Sequence, residues 1–189
     1  MKIKTMKYHT ILSHGLESGP NASKITHLAA VAENLGHTSE RPDYGRGDIS
    51  ARVSQLRAIA DAARIKYPGQ SLVLAGSSMG AYISAMVSLE VPTAALFLMA
   101  PPVFFRGPNR ESPVEAPALR MRTPSCSIVH GWRDELIDAG EVVAFARAYG
   151  AELLLVNDDH RLGGSLAQLE SAFVELMRKL ALAEHAHAH

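Results

Sequence analysis

Gly76-Ser77-Ser78-Met79-Gly80 places a serine between two glycines at the spacing G-x-S-x-G. On a sharp strand-to-helix turn, this spacing makes a nucleophile elbow with the serine at its apex. The spacing alone arises by chance in roughly 0.09 of chains with this glycine and serine content. Its surroundings carry more weight. The apolar run Ser71–Ala75 predicts a buried strand, and Ala81, Tyr82, Ile83, Ala85, Met86 and Leu89 predict a helix from about Met79 to Leu89. Ser78 therefore falls where a tight turn strains its backbone and projects its hydroxyl from the sheet edge. Flanking glycines leave the turn room, and the helix N-terminus supplies a positive dipole and free N–H groups. The alternative is a turn that merely favours small residues.

A serine hydroxyl is a weak nucleophile and needs a base. On an elbow of this kind the partners follow in the order serine, acid, histidine. His160 follows the predicted strand Glu152–Val156 in the loop Asn157-Asp158-Asp159-His160-Arg161, and Asp134 follows the strand Ser127–Val129 in His130-Gly131-Trp132-Arg133-Asp134. Both loops open at the carboxyl edge of a parallel sheet, as Ser78 does. The expected set is Ser78 as nucleophile, Asp134 as acid and His160 as base. Glu135 and Asp138 are the nearest substitutes for the acid, with a solvated loop aspartate as the plain reading of Asp134. His14 is a rival base, but it precedes the serine and suits a loop-bracing role better.

The first strand runs into Ser13-His14-Gly15-Leu16-Glu17-Ser18-Gly19-Pro20, a glycine loop before a helix that presents backbone N–H groups to an anion. An oxyanion hole is expected at the N–H groups of Leu16 and Met79. Around the mouth, Leu16, Met79, Pro101, Pro102, Val103, Phe104, Phe105 and Trp132 are candidates for contact with an acyl chain. Phe104 and Phe105 suit packing beneath a proline-rich loop equally well. Arg106 and Arg110 suit a solvated pair better than a contact to an acidic substrate group. Arg46-Gly47-Asp48 resembles an adhesion tripeptide and reads more simply as a turn before a helix. His14, Asp158, Asp159 and His160 lack the compact spacing of a metal site, so no metal and no organic cofactor is expected.

Elements that could position these residues alternate along the chain. Apolar runs at Tyr8–Ser13, Thr38–Arg41, Ser71–Ala75, Ala94–Met99, Ser127–Val129 and Glu152–Val156 predict strands. Several are continuously apolar, as when helices cover both faces of a parallel sheet. Ile25, Leu28, Ala29, Ala32 and Leu35 mark a helix ending at Gly36. Ile49, Val53, Leu56, Ala60 and Ala63 mark a second helix, ending before Pro68-Gly69. A fourth helix is expected over about Ala139–Tyr149 and a last one over about Gly164–Ala183, carrying Leu166, Leu169, Phe173, Leu176 and Leu180. Pro101–Pro124 breaks the rhythm, since six of the ten prolines fall there. A long helix is disfavoured in that stretch, which suits a binding loop or a surface excursion.

The chain has 189 residues, enough for one domain with one core. Its 19 basic and 19 acidic side chains give zero formal charge, which lacks the footprint of a nucleic-acid binder. One cysteine, Cys126, excludes an intramolecular disulfide and a thiolate zinc cluster. The apolar stretch after the basic Met1–Lys7 is too short for a signal peptide, and no run is long enough to span a membrane. The expectation is a cytoplasmic protein, with residues 1–183 forming the domain and residues 184–189 a disordered His/Ala tail or appended remnant. Monomer and homodimer are both compatible with the sequence.

HGLESGP at 14–20, PDYGRGDIS at 42–50, GSSMG at 76–80, HGWRDELID at 130–138 and DDHRL at 158–162 together resemble the α/β-hydrolase superfamily, in particular its small bacterial serine esterases with little or no lid. The resemblance spans Tyr8 to about Lys179 in the family's motif order. It implies a three-layer α/β/α sandwich with a mostly parallel sheet of about six strands. It also implies Ser78, Asp134 and His160 as the triad and Leu16 and Met79 as oxyanion donors. Against larger members, the chain lacks the first two strands, and the loop Pro101–Pro124 stands in place of a helical cap. The implied activity is cleavage of a small-molecule ester or thioester through an acyl-enzyme. A non-catalytic binding protein of the same fold, or an amidase or peptidase, is the alternative.

Overall fold

The computed structural model describes residues 7–45, 47–104 and 118–187, with side chains to residue 183. Its elements run β1 (Lys7–Ser13), α1 (Ser23–Asn34), β2 (Thr38–Glu40), α2 (Ile49–Lys66), β3 (Gln70–Ser77), α3 (Met79–Val87), β4 (Ala95–Met99), β5 (Cys126–Gly131), α4 (Ala139–Tyr149), β6 (Glu152–Val156) and α5 (Leu166–His187). The strands form one sheet in the order β2-β1-β3-β4-β5-β6, and every neighbouring pair is parallel. The expected α/β/α sandwich is therefore present, with a sheet that is parallel throughout.

The strands divide their side chains between two apolar layers by simple alternation. Ile11, Leu74, Leu96, Leu98 and Ile128 face α2, α3 and α4, meeting Leu56, Ala60, Ile83, Val142 and Phe145. Leu12, Val73, Phe97, Met99 and Val129 face α1 and α5, meeting Leu28, Ala32, Leu169 and Phe173. Phe97 and Phe173 meet edge to face, with ring centroids 5.3 Å apart. Among the described residues, no helix is long and apolar enough to cross a membrane.

Differences from the sequence reading have local causes. β6 is apolar throughout its centre, yet Leu154 remains 40% exposed, because β6 is an edge strand flanked by β5 alone. α3 stops before Ser88, whose hydroxyl donates to the Ala85 carbonyl and accepts the Arg122 N–H. α5 continues beyond Ala183 to His187, so helical backbone enters the stretch expected to be a disordered tail. Phe105, Arg106, Arg110 and Arg46 lie outside the described residues. Asp48 does sit at a turn before a helix: it caps α2 by accepting the Ala51 N–H at 2.7 Å.

Register brings the chemistry-bearing loops to one rim. Ser13 pairs with Gly76, Ser77 with Met99 and Gly131 with Val156, so β1, β3, β4, β5 and β6 end nearly level. There α3 packs directly beneath the end of β1. A Cβ on Gly80 would lie 2.0 Å from the Ser13 carbonyl oxygen and 2.7 Å from that of His14, and one on Gly76 would lie 2.2 Å from the backbone of Gly80. These are backbone obstacles that cannot rotate away. Gly80→Ala is expected to cost about 3 kcal/mol or more, the upper range for overpacking. Gly19→Ala, which meets nothing within 4 Å, should leave the urea midpoint nearly unchanged.

Candidate active site

Ser78 sits at the apex between β3 and α3 with φ 54° and ψ −119°, a backbone conformation that L-residues rarely adopt. Its N–H donates to the Met99 carbonyl at 2.8 Å, which anchors the elbow to β4. The Ser78 hydroxyl lies 3.0 Å from His160 Nε2. His160 Nδ1 lies 2.8 Å from Asp134 Oδ2, so its proton belongs on Nδ1 and Nε2 is free to accept the serine proton. The three residues expected from the sequence thus converge, although Ser78 and His160 are 82 positions apart. Asp138 caps α4 through the Glu141 N–H and Glu135 is exposed, so neither substitute acid takes the imidazole.

The Asp134 side chain is fully buried and its oxygens are well occupied. Oδ1 accepts the N–H groups of Leu136 and Ile137, each at 2.9 Å. Burial pushes its carboxyl pKa up, but the hydrogen bonds from His160, Ile137 and Leu136 prevail and leave it below the usual carboxylate range. His130 packs against the same carboxylate, with Nε2 3.7 Å from Asp134 Oδ2 and donating to the Ile137 carbonyl at 3.2 Å. Burial lowers its pKa and favours the neutral imidazole.

The loops after β5 and β6 are knitted together. Trp132 and Arg133 donate their N–H groups to the carbonyls of Val156 and Asp158. Gly131 permits this contact, since a Cβ there would lie 2.5 Å from the Asp158 carbonyl oxygen. Asp158 brackets the histidine loop from inside, accepting from the Asp159 N–H, the Gly164 N–H and the Ser165 hydroxyl at 2.7–2.9 Å. The sequence reading assigned Asp158 no such role.

A second buried network holds the loop after β1. His14 donates from Nδ1 to the Gly15 carbonyl at 2.7 Å and accepts the Tyr44 N–H at Nε2, the bracing role expected of it. Arg52, only 1% exposed, donates to the carbonyls of Gly45 at 2.8 Å and Gly47 at 3.0 Å, and reaches those of Gly15 and Leu16 at 3.5 and 3.4 Å. No carboxylate pairs with it among the described residues, and its guanidinium lies 5.8 Å from the centre of the Tyr44 ring. The sequence reading missed Arg52. Its signal was a charged residue on the apolar stripe Ile49, Val53, Leu56 and Ala60. The N–H groups of Leu16 and Met79 donate to no protein acceptor among the described residues, which leaves both available to a ligand.

Beside Ser78 lies a cleft of about 540 Å³, lined by Leu16, Ala22, Ile25 and Leu136 on its apolar side and by Lys24, Arg161 and Glu17 among its charged groups. Of the expected substrate contacts, Leu16 lies in this lining. Trp132 and Phe104 are 60% and 46% exposed but stand outside it. Met79, Pro101, Pro102 and Val103 are buried rather than arrayed around a mouth. The apolar wall comes instead from the start of α1 and from Leu136, which lies two positions after Asp134. Burial draws the Lys24 ammonium below its usual pKa range, opposed by the carboxylates of Asp158, Asp159 and Asp134. Cys126, the lone thiol, is buried and pushed up to about 12, which leaves it unreactive.

The chain matches no protein-family model and no curated protein. Solved structures do match it. A Xanthomonas campestris protein assigned to the alpha/beta hydrolase superfamily is 49% identical, covers 92% of this chain and 99% of its own, and superposes with a TM-score of 0.81. An alpha-beta serine hydrolase homologue from Coxiella burnetii is 27% identical over 91% of this chain and 86% of its own, with a TM-score of 0.75. A serine hydrolase without a lid, also from X. campestris, shares the fold at 22% identity, over 94% of this chain and 84% of its own, with a TM-score of 0.77. Identity of this extent, over nearly the whole of both chains in the first comparison, places the protein in the α/β-hydrolase superfamily.

Proposed function

We propose that this hydrolase is a serine esterase or thioesterase acting through an acyl-enzyme on Ser78. The observation that carries the reading is the continuous relay Asp134–His160–Ser78, with links of 2.8 and 3.0 Å. His160 Nε2 takes the Ser78 proton as Oγ attacks the carbonyl carbon. Asp134 holds the Nδ1–H tautomer and stabilises the imidazolium that forms. The carbonyl oxygen becomes an oxyanion on the N–H groups of Leu16 and Met79, each donor being worth about 2.7–4 kcal/mol of barrier by analogy with other hydrolases. Collapse of the tetrahedral adduct breaks the bond to the leaving alkoxide or thiolate, which receives the proton from His160. Water then loses a proton to His160 and attacks the acyl carbon. The second collapse releases the carboxylic acid and returns the proton to Ser78 Oγ.

Several measurements test this reading. Wild-type protein should be labelled by a fluorophosphonate probe and should hydrolyse nitrophenyl esters or acyl-thioesters, and Ser78→Ala should lose both properties. Labelling of the alanine variant equal to wild type, or none in either, would favour a non-catalytic binding protein. Turnover of anilides as fast as the matched esters would assign an amidase or peptidase instead.

Asp134→Asn should retain the fold and lower kcat by about 10³–10⁴-fold, because the imidazole loses its preferred tautomer. Full activity in that variant would remove Asp134 from the mechanism. The same variant tests the electrostatics of the folded state. The carboxyl pKa is depressed on folding, so its stabilising contribution is present above the unfolded value of about 3.9 and fades as pH falls through the folded one. The difference in urea midpoint between wild type and Asp134→Asn should therefore shrink between about pH 5 and pH 2.

A further inference from the structure

The cleft beside Ser78 carries two cations that the proposed acyl transfer does not use. Lys24 and Arg161 both line it. The Lys24 ammonium donates to the Arg161 carbonyl, and among the described residues no carboxylate lies within 4 Å of either cationic group. Asp158, whose charge acts on Lys24, already accepts three hydrogen bonds within its own loop. Nor does helix stability account for Lys24. It lies in the first turn of α1, where the helix dipole disfavours a cation, and that turn holds no acidic residue. Leu16, Ala22, Ile25 and Leu136 supply an apolar path through the same cleft.

We infer that Lys24 and Arg161 form an anion subsite that takes a carboxylate carried by the ester substrate, with the apolar lining accommodating the chain between that carboxylate and the scissile carbonyl. This inference rests on the serine hydrolase reading and adds to it a substrate class: esters with a free carboxylate. Lys24, Arg161 and Glu17 are the lysine, arginine and carboxylate side chains of the lining, and the charges of Asp158, Asp159 and Asp134 also act on Lys24, so the positive excess is small and matches a monoanion better than a dianionic phosphate. Ammonium and guanidinium donors give charge-assisted hydrogen bonds to such a group, with a planar fork on the arginine side. A cleft of about 540 Å³ accommodates a substrate of this size.

The test compares matched esters, with every rate normalised to the fraction of enzyme titrated by a neutral fluorophosphonate. One arm sets the mono-4-nitrophenyl ester of adipic acid against 4-nitrophenyl hexanoate, placing the charge in the acyl half. The other sets 4-acetoxybenzoate against phenyl acetate, placing it in the alcohol half. In at least one arm, the ratio of kcat/KM for the charged over the neutral ester should exceed one at low ionic strength and fall as salt is added. That ratio should drop about tenfold in Lys24→Met and in Arg161→Gln, as expected for loss of one charge-assisted contact. The responding arm identifies which half of the substrate enters the subsite. A wild-type enzyme that titrates and hydrolyses the neutral esters, but shows ratios at or below one in both arms or ratios unmoved by either substitution, overturns the subsite and leaves the hydrolase reading intact. Absence of both titration and neutral-ester turnover overturns the two together.

Discussion

Ser78 occupies a backbone conformation that costs of order 1–3 kcal/mol, and much of the rim exists to hold it there. The strain is local, but the restraint is not. β3 enters the turn between β1 and β4, the Ser78 N–H is taken by Met99 on β4, and α3 leaves the turn pressed against the carbonyls that end β1. Two positions without side chains, Gly76 and Gly80, make that approach sterically possible. The hydroxyl is therefore presented by backbone on three strands, and relaxing the turn would require the end of the sheet to come apart.

The remaining parts of the site meet the serine through two buried polar networks, and each resolves an electrostatic cost. Asp134 is a buried carboxylate, normally expensive, but one oxygen holds two backbone N–H groups and the other holds the imidazole. Arg52 is a buried cation without a carboxylate partner among the described residues, and it is satisfied by the carbonyl oxygens of Gly45, Gly47, Gly15 and Leu16. Orienting those carbonyls toward the guanidinium fixes the peptide planes of the loop that also offers the Leu16 N–H. Arg52 at 3.5 Å and His14 Nδ1 at 2.7 Å both donate to the Gly15 carbonyl and so restrain the peptide that carries the Leu16 N–H. Asp158 acts in the same way on the opposite loop, folding residues 158–165 around its carboxylate so that His160 faces Ser78.

The meeting of Ser78, Asp134 and His160 was legible in the sequence because its signals are local: a G-x-S-x-G pattern at a strand-to-helix junction, and an aspartate and a histidine each just beyond a strand. Parallel topology does the rest, since it sends every strand-end loop to one edge. The strands were legible for the same reason, with discrepancies of a residue or two at most ends. Leu154 was not, because whether an apolar strand is central or lies at an edge depends on strand order, and the residues of β6 do not encode their neighbours. The cleft was legible only in part. Leu16 follows from its loop, but Lys24, Ile25 and Leu136 reach the serine through the packing of α1 and of the loop after β5. Aromatic residues near the motif, Phe104 and Trp132, drew attention by type and proved to lie outside the lining.

By itself, the sequence determined the alternating elements, the serine, aspartate and histidine at three strand ends, and the glycines that permit their approach, all of which depend on residue type and short spacing. Tertiary structure alone decided strand order, the tautomer that the Asp134 contact imposes on His160, the burial of Arg52 against the loop after β1 and the charge of the cleft wall. The physical reason is that these properties belong to pairs of groups far apart in the chain, and a Coulomb interaction or hydrogen bond depends on the distance in space that folding creates.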